Sequence, residues 1–287
     1  MINFLKGKNV YFIISCAIIV AGLVAALVFG GLHFGLDFMG GTEIRMNIGQ
    51  SFENNDIAAI VSETVGKQPS IQKSGDTEVS IKLEEIETEQ RDAVVEAIKA
   101  KYNLSDNALL EATNVSASAS TKLLTDALKA IGIAVIFMLL YITVRFDFKS
   151  GLAAIIGLLH NVILLLAIYA IFQIQINSTF IAAVLTIVGY SINNTIIIFD
   201  KIRENRKTNR RIPFAEVSNT SLNQVLVRTI NATITTLLTI LVLYIIGIKS
   251  IREFSLPIII GILIGTYSSI CISTPIWVLL GDKKRRK

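Results

Sequence analysis

The sequence predicts an α-helical membrane protein: six transmembrane helices, with a small α+β domain of the ferredoxin-like order βαββαβ between the first and second. Three observations carry this. Of 287 residues, 52% are hydrophobic and only 17% charged, against about 25% charged in ordinary soluble domains. The mean hydropathy is +0.61. Apolar stretches recur at about 20 residues, the length that crosses a hydrocarbon core of roughly 30 Å. Between the first two stretches, residues 31–121 carry 7 Lys and Arg against 15 Asp and Glu, a net charge of −8, while the whole chain is +5.

The six spans run approximately Val10–Phe29, Ala127–Phe146, Leu152–Phe172, Phe180–Phe199, Leu226–Ile246 and Leu256–Leu280. The first is too long in its apolar core, and lacks the small-residue site, for a cleaved signal peptide. Cys16 and Cys271 both fall within spans, where small apolar packing residues are the expected role. Lysine and arginine set the orientation. Lys6 and Lys8, the Arg145–Lys149 turn, "KIRENRKTNRR" and "DKKRRK" all fall on one side if there are six spans, which predicts cytoplasmic N- and C-termini. "QIQIN" on the other side is uncharged, and "IKSIREF", read as a loop there, is the exception. The resulting division is residues 1–30 (cytoplasmic N-terminus and first span), 31–121 (extracytoplasmic domain), 122–280 (five-helix bundle) and 281–287 (basic tail). The basic balance therefore reflects topology and anionic membrane lipids, and nucleic acid is not expected as a partner.

Within 31–121, "TEIRMNI" alternates with period two and reads as a strand. "SFENNDIAAIVSETVG" reads as a helix capped by Ser51, with Ile57, Ile60, Val61 and Val65 on one face. "PSIQKS" and "EVSIKLE" flank "GD" as a hairpin. "ETEQRDAVVEAIKAKYN" is an amphipathic helix with Val94, Val95 and Ile98 inward, and "LLEATNVSA" closes as a strand.

Three motifs carry a family resemblance. "FGLDFMGGTEI" (Phe34–Ile44), "GYSINNTIIIFDKIREN" (Gly189–Asn205) and "LNQVLVRTINATITTLLT" (Leu222–Thr239) resemble, in order, segments of the SecD/SecF protein-export family in its SecF form. The resemblance covers essentially the whole chain. It implies the RND-type superfamily, the bacterial cytoplasmic membrane and a SecD partner. It further implies contact with the SecYEG translocon and translocating preproteins, with YajC and YidC as further candidates. The implied role is protein export driven by a proton or sodium gradient.

The residues also speak for themselves. Arg228, about three residues into the fifth span, is expensive in lipid and is expected to face a bundle interior or an aqueous cavity, or else to snorkel to the interface. Asn194 lies roughly 9 Å above the cytoplasmic end of the fourth span at 1.5 Å per residue, a depth at which the two side chains are expected to meet. Family members carry an aspartate here, within "SINDT". Asn194 cannot ionise. Three readings stay open: a SecD partner supplies the carboxylate, sodium replaces the proton, or the chain is a scaffold without its own relay. Asn193, Ser191 and Thr195 complete the candidate polar site, with helix–helix hydrogen bonding as their plainer role. Gly189 is expected to allow close packing, His160 to be packed and hydrogen-bonded, and Asp200 to pair with Lys201 or Arg203. Gly189, Ser191, Gly261, Gly265 and Ser269 are the expected surface for a six-span partner. At the membrane exit, Gly35, Asp37, Gly40, Gly41 and Thr42 form the family motif: Gly40-Gly41 suits a sharp turn, with Asp37 as its anchor.

No Ser-His-Asp, Cys-His, metal-ligand or Walker pattern is present, so no enzyme activity, cofactor or metal is expected. An RND-type lipid or drug exporter half is a third reading, disfavoured by the small outer domain.

Overall fold

The computed structural model describes residues 2–75 and 77–282. The chain divides into two compact units, Phe34–Ala127 and Met1–His33 with Leu128–Lys287.

The first unit begins with a short helix, α2 (Leu36–Met39), which follows α1 (Lys8–Val28) of the other unit. It continues with β1 (Gly41–Asn47), α3 (Asn54–Val65), β2 (Ser70–Ser74), β3 (Glu78–Leu83), α4 (Thr88–Tyr102) and β4 (Leu109–Val115). The sheet is antiparallel in the order β2-β3-β1-β4. This is the predicted βαββαβ arrangement, and its register follows from alternation. Ile44 on β1 opposes Ile81 on β3, which opposes Ile71 on β2. The inward row Ile44, Met46, Val79, Ile81 and Leu83 packs against Ile57 and Val61 of α3 and Val94, Val95 and Ile98 of α4. Removing this apolar surface from water supplies the main driving force for the unit.

Local signals explain the helix ends. At α4, the Glu87 backbone N–H donates to Gln90 Oε1 at 3.2 Å, half of a capping box. For α3 the predicted cap is displaced: Glu53, not Ser51, is the N-cap residue, because the extended backbone continues two residues further.

Tyr102, at the end of α4, has a buried phenol oxygen without a hydrogen-bond partner among the described residues. Burial, and secondarily the charge of Asp56, pushes its pKa above the ordinary value near 10. Because the folded pKa is the higher one, the associated stability is intact below about pH 10 and is lost as pH rises through the folded value. Tyr102→Phe removes the orphan hydroxyl. The expected result is unchanged or slightly raised stability, by up to about 1 kcal/mol, with a weaker alkaline loss of protection for β1 and α4 amides in hydrogen exchange.

The second unit contains the spans. After α1 come α5 (Ala117–Arg145, which starts in the first unit), α6 (Phe148–Phe172), α7 (Ser178–Thr208) and α8 (Phe214–Ile246). Last are α9 (Lys249–Ser268), a π-helical turn (Ser269–Ser273) and α10 (Thr274–Asp282). Among the described residues, six helical segments are long and apolar enough to cross a membrane, the last being Lys249–Gly281. The helices outrun the predicted spans by several residues, because backbone hydrogen bonding continues into polar flanks that hydropathy excludes. Lys249 and Arg252, read as loop residues, are helical: Lys249 pairs with Glu253 at 3.7 Å, and Arg252 Nε donates to Gly247 O at 2.8 Å. Helix α7 packs on α8 and α9, and α1 on α6.

Candidate functional site in the helix bundle

Adjacent helical residues point about 100° apart, so Asn193 and Asn194 need not share an environment. Asn194 faces inward at 1% exposure, with Ser191 and Thr195, whereas Asn193 is exposed. The inward set follows the helical period through Ile187, Ser191, Asn194, Ile198 and Ile202 of α7.

This inward polar set makes hydrogen bonds to three neighbouring helical segments, in separate short groups. Asn161 Nδ2 of α6 donates to Ser191 Oγ at 2.6 Å. Asn194 Nδ2 donates to Thr266 Oγ1 of α9 at 3.4 Å, and Thr266 Oγ1 lies 2.9 Å from Thr233 Oγ1 of α8. Thr195 Oγ1 lies 2.9 Å from Ser269 Oγ, which in turn donates to Gly265 O at 2.8 Å. Ser268 Oγ donates to Gly157 O at 3.3 Å. Gly265 lets α9 approach α7 closely at the centre: a Cβ there would lie 3.1 Å from Ser191 Cβ, a tight contact. The network abuts the π-helical turn, whose Ser269 carbonyl accepts from Thr274 Oγ1 at 2.9 Å. Single-turn π-segments of this kind often mark functional positions.

Chemically, the network is made of amides and hydroxyls. None of its members carries a charge or a carboxyl. It can pass hydrogen bonds and supply oxygens, but it cannot by itself release a proton.

Several expectations need correction. Arg228 does not meet Asn194: it is exposed on α8, and no described residue bonds or pairs with its side chain. Its neighbour Thr229 takes the inward position. Gly189 permits no close packing in this chain, for a Cβ there would meet nothing within 4 Å. Ser191, Gly261, Gly265 and Ser269 are buried between α7 and α9, so they hold this chain's own helices together and do not form a partner surface. Asp200 pairs across helices with Arg145 at 3.3 Å, while Lys201 pairs with Glu204. Cys16 is exposed, not packed; Cys271 is buried. His160 lies beside Tyr267, ring centroids 6.3 Å apart, and its Nδ1 is 3.4 Å from Asn161 Oδ1.

In the other unit, Gly35 precedes α2, and Asp37 lies in its first turn. Gly40 ends that helix with φ 74° and Gly41 opens β1 with φ 123°. Both values favour glycine, and a Cβ on Gly41 would also collide with the carbonyl oxygen of Leu83. Thr42 is fully buried; its hydroxyl donates to Asn114 Oδ1 at 3.2 Å and accepts from the Ile86 N–H at 3.4 Å.

Sequence reasoning missed the bonding roles of Asn161, Thr233, Thr266 and Ser268, and read Ser269 as partner surface when it bonds within the chain. The available signal was the run "GTYSSICIST" (Gly265–Thr274), whose hydroxyls recur at helical spacing inside an apolar span.

Comparison with known proteins decides the family. The sequence model for the protein export membrane protein SecD/SecF, C-terminal, matches residues 94–283. The chain belongs to the SecD/SecF family. It is 34% identical to the protein translocase subunit SecF of Sebaldella termitidis, over 99% of this chain and 93% of that one. It is 37% identical to SecF of Dictyoglomus turgidum, over 96% of each chain. Against the protein translocase subunit SecDF of Bacillus subtilis it is 32% identical, over 99% of this chain but 39% of that protein. The solved structure of SecDF, a translocon-associated membrane protein from Thermus thermophilus, superposes with a TM-score of 0.86 at 31% identity, covering 99% of this chain and 39% of that one. A multi-pass membrane protein of the SecD/SecF family is thus the identity that helices, sheet and sequence agree on.

Proposed function

We propose that the chain is a SecF-type subunit that joins a SecD-type chain to promote late steps of protein export. The carrying observation is that it matches separate SecF chains almost end to end, yet covers 39% of the fused SecDF proteins. The SecDF proteins carry a further portion beside the part that this chain matches. Physical support lies on the outward faces. Arg228, Asn231, Thr235 and Thr239 form an exposed stripe on α8, and Thr186, Gly189 and Asn193 form one on α7. Polar and cationic groups within a span are costly in contact with lipid, and the cost falls when another helix bundle covers them.

In this reading the basic end of the bundle is cytoplasmic and residues 31–121 lie outside a bacterial cytoplasmic membrane. The SecYEG translocon and the moving preprotein are contacts, with YajC and YidC as further candidates. Proton coupling through a carboxylate then requires that group to come from the SecD-type chain, since the residues bonded to Asn194 contain none, whereas sodium coupling would draw on their oxygens.

A photo-crosslinker at Asn193 should join the chain to a second six-span protein in native membranes, and Arg228→Ala should reduce that yield. The same crosslinker at Ser191, buried within the chain, should give no such product. Equal crosslinking at both positions, or none at Asn193, counts against the pairing.

A further inference from the structure

At the end of the bundle where α6 and α8 begin and α7 ends lies a cavity of about 810 Å³. Its charge is one-sided. Lys149, Arg203, Arg206, Lys207 and Arg210 line it, against one acid, Asp147. Asp147 is already engaged at the α6 N-terminus, where it sits in a capping box with Ser150. Among the described residues none of the five cations is paired with a carboxylate. Three are instead held by backbone oxygens: Lys149 Nζ by Leu280 O at 2.6 Å, Arg203 by Arg145 O at 2.9 Å and Arg206 by Ile212 O at 2.6 Å. Carbonyls orient these side chains without cancelling their charge. A merely solvated basic loop would not bring cations from a helix start, a helix end and a connecting segment around one concavity.

The walls are aromatic. Phe214 stacks edge-on against Trp277 at 5.3 Å, and Arg206 lies over the Phe214 ring at 5.7 Å. Next in sequence to the lining residues Phe146, Asp147 and Lys149 are two exposed apolar residues, Val144 at 87% and Phe148 at 65%. Concentrated positive charge inside, with exposed apolar residues close by in sequence on membrane-length helices, suits an amphiphile better than a soluble ion.

We propose that this cavity binds the phosphate headgroup of an anionic phospholipid, with acyl chains lying along Val144 and Phe148. Arg206, Lys207 and Arg210 supply donors to the phosphate, and Phe214 and Trp277 support the glycerol region. The N-terminal dipoles of α6 and α8 add to the positive potential. Basic pockets between membrane helices recognise headgroups in this way. The bound lipid would tie the α7–α8 connection to α10.

The test uses the full chain, purified in a neutral detergent. Phosphatidylglycerol, phosphatidylcholine and inorganic phosphate are titrated separately while thermal unfolding is followed. Saturable stabilisation by phosphatidylglycerol, with little from the other two, is expected. Arg210→Gln should weaken the apparent affinity roughly five-fold, and Arg206→Gln/Arg210→Gln more, on the basis of about 1 kcal/mol per cation near a charged surface. Arg210 bonds to no described side chain, so its variant tests the site without threatening the fold; Arg252→Gln, which lies outside the cavity, should bind as the native chain does. Equal stabilisation by phosphatidylcholine overturns the headgroup assignment. Full stabilisation by inorganic phosphate alone makes this a soluble-anion site and overturns the lipid. Native affinity in both cavity variants shows that general surface charge is responsible.

Discussion

Gly22→Leu is expected to detach α1 from the bundle. Of the 21 residues of α1 only Ser15 and Gly22 are buried, so the helix docks through a narrow contact. At Gly22 it meets the backbone of α6: a Cβ would lie 2.5 Å from both Cα and Cβ of Ala167 and 2.9 Å from its carbonyl oxygen. Backbone atoms cannot rotate away as a side chain does, so α1 or α6 must shift. Overpacking of this kind costs about 1–3 kcal/mol even where neighbours can adjust, and a leucine against backbone belongs at or beyond the upper end. Thermal unfolding of the purified chain should shift well below that of the native protein. Gly132→Leu on α5 is the control, because nothing lies within 4 Å of a Cβ there. The substitution should be neutral or gain about 1 kcal/mol in helix propensity. Equal behaviour of the two variants would show that the α1–α6 contact contributes little.

Asn194→Asp should increase the dependence of protein export on a proton gradient. The native amide is 1% exposed and bonded to Thr266. A carboxyl of nearly the same shape would sit among the hydroxyls of Thr266 and Thr233, and unlike the amide it can gain and lose a proton. Asn194→Leu keeps the branching and heavy-atom count, with somewhat greater bulk, and removes the donor. Thr266 retains its bond to Ile262 O at 2.9 Å, so the loss should be limited to about 1 kcal/mol of stability. The measurement is reporter export into membrane vesicles at fixed ATP, with and without a proton gradient. If both variants show the native gradient response, the network is packing alone.

How much of this was legible depends on which physical signal each residue carries. The six helices announce themselves, because twenty apolar residues in succession have few other uses. The sheet domain was equally readable, since Ile44 and Ile81 occupy alternating strands whose inward positions fix the register. The facing of polar residues inside the spans was not. Neighbouring Asn193 and Asn194 are chemically identical, and only the packing of α8 and α9 on α7 decides that one is inward. The same ignorance of helix rotation left Arg228 open between the interior and the interface, when Thr229 takes the inward position. Asp200 had basic neighbours in sequence, yet its partner Arg145 comes from another helix. The network's α9 members were hidden because serine and threonine can satisfy themselves on their own helix, as Ser269 does with Gly265 O, so their sequence pattern does not reveal contacts between helices.

The central claim is that this chain serves protein export as one part of a two-part translocase. Its most direct test is export of a secretory reporter into vesicles from cells depleted of the chain, with the purified chain added back alone or together with a SecD-type partner. The account predicts weak export after depletion, restored only when both are present. Full export after depletion, or full restoration in vesicles that lack the SecD-type partner, would contradict it.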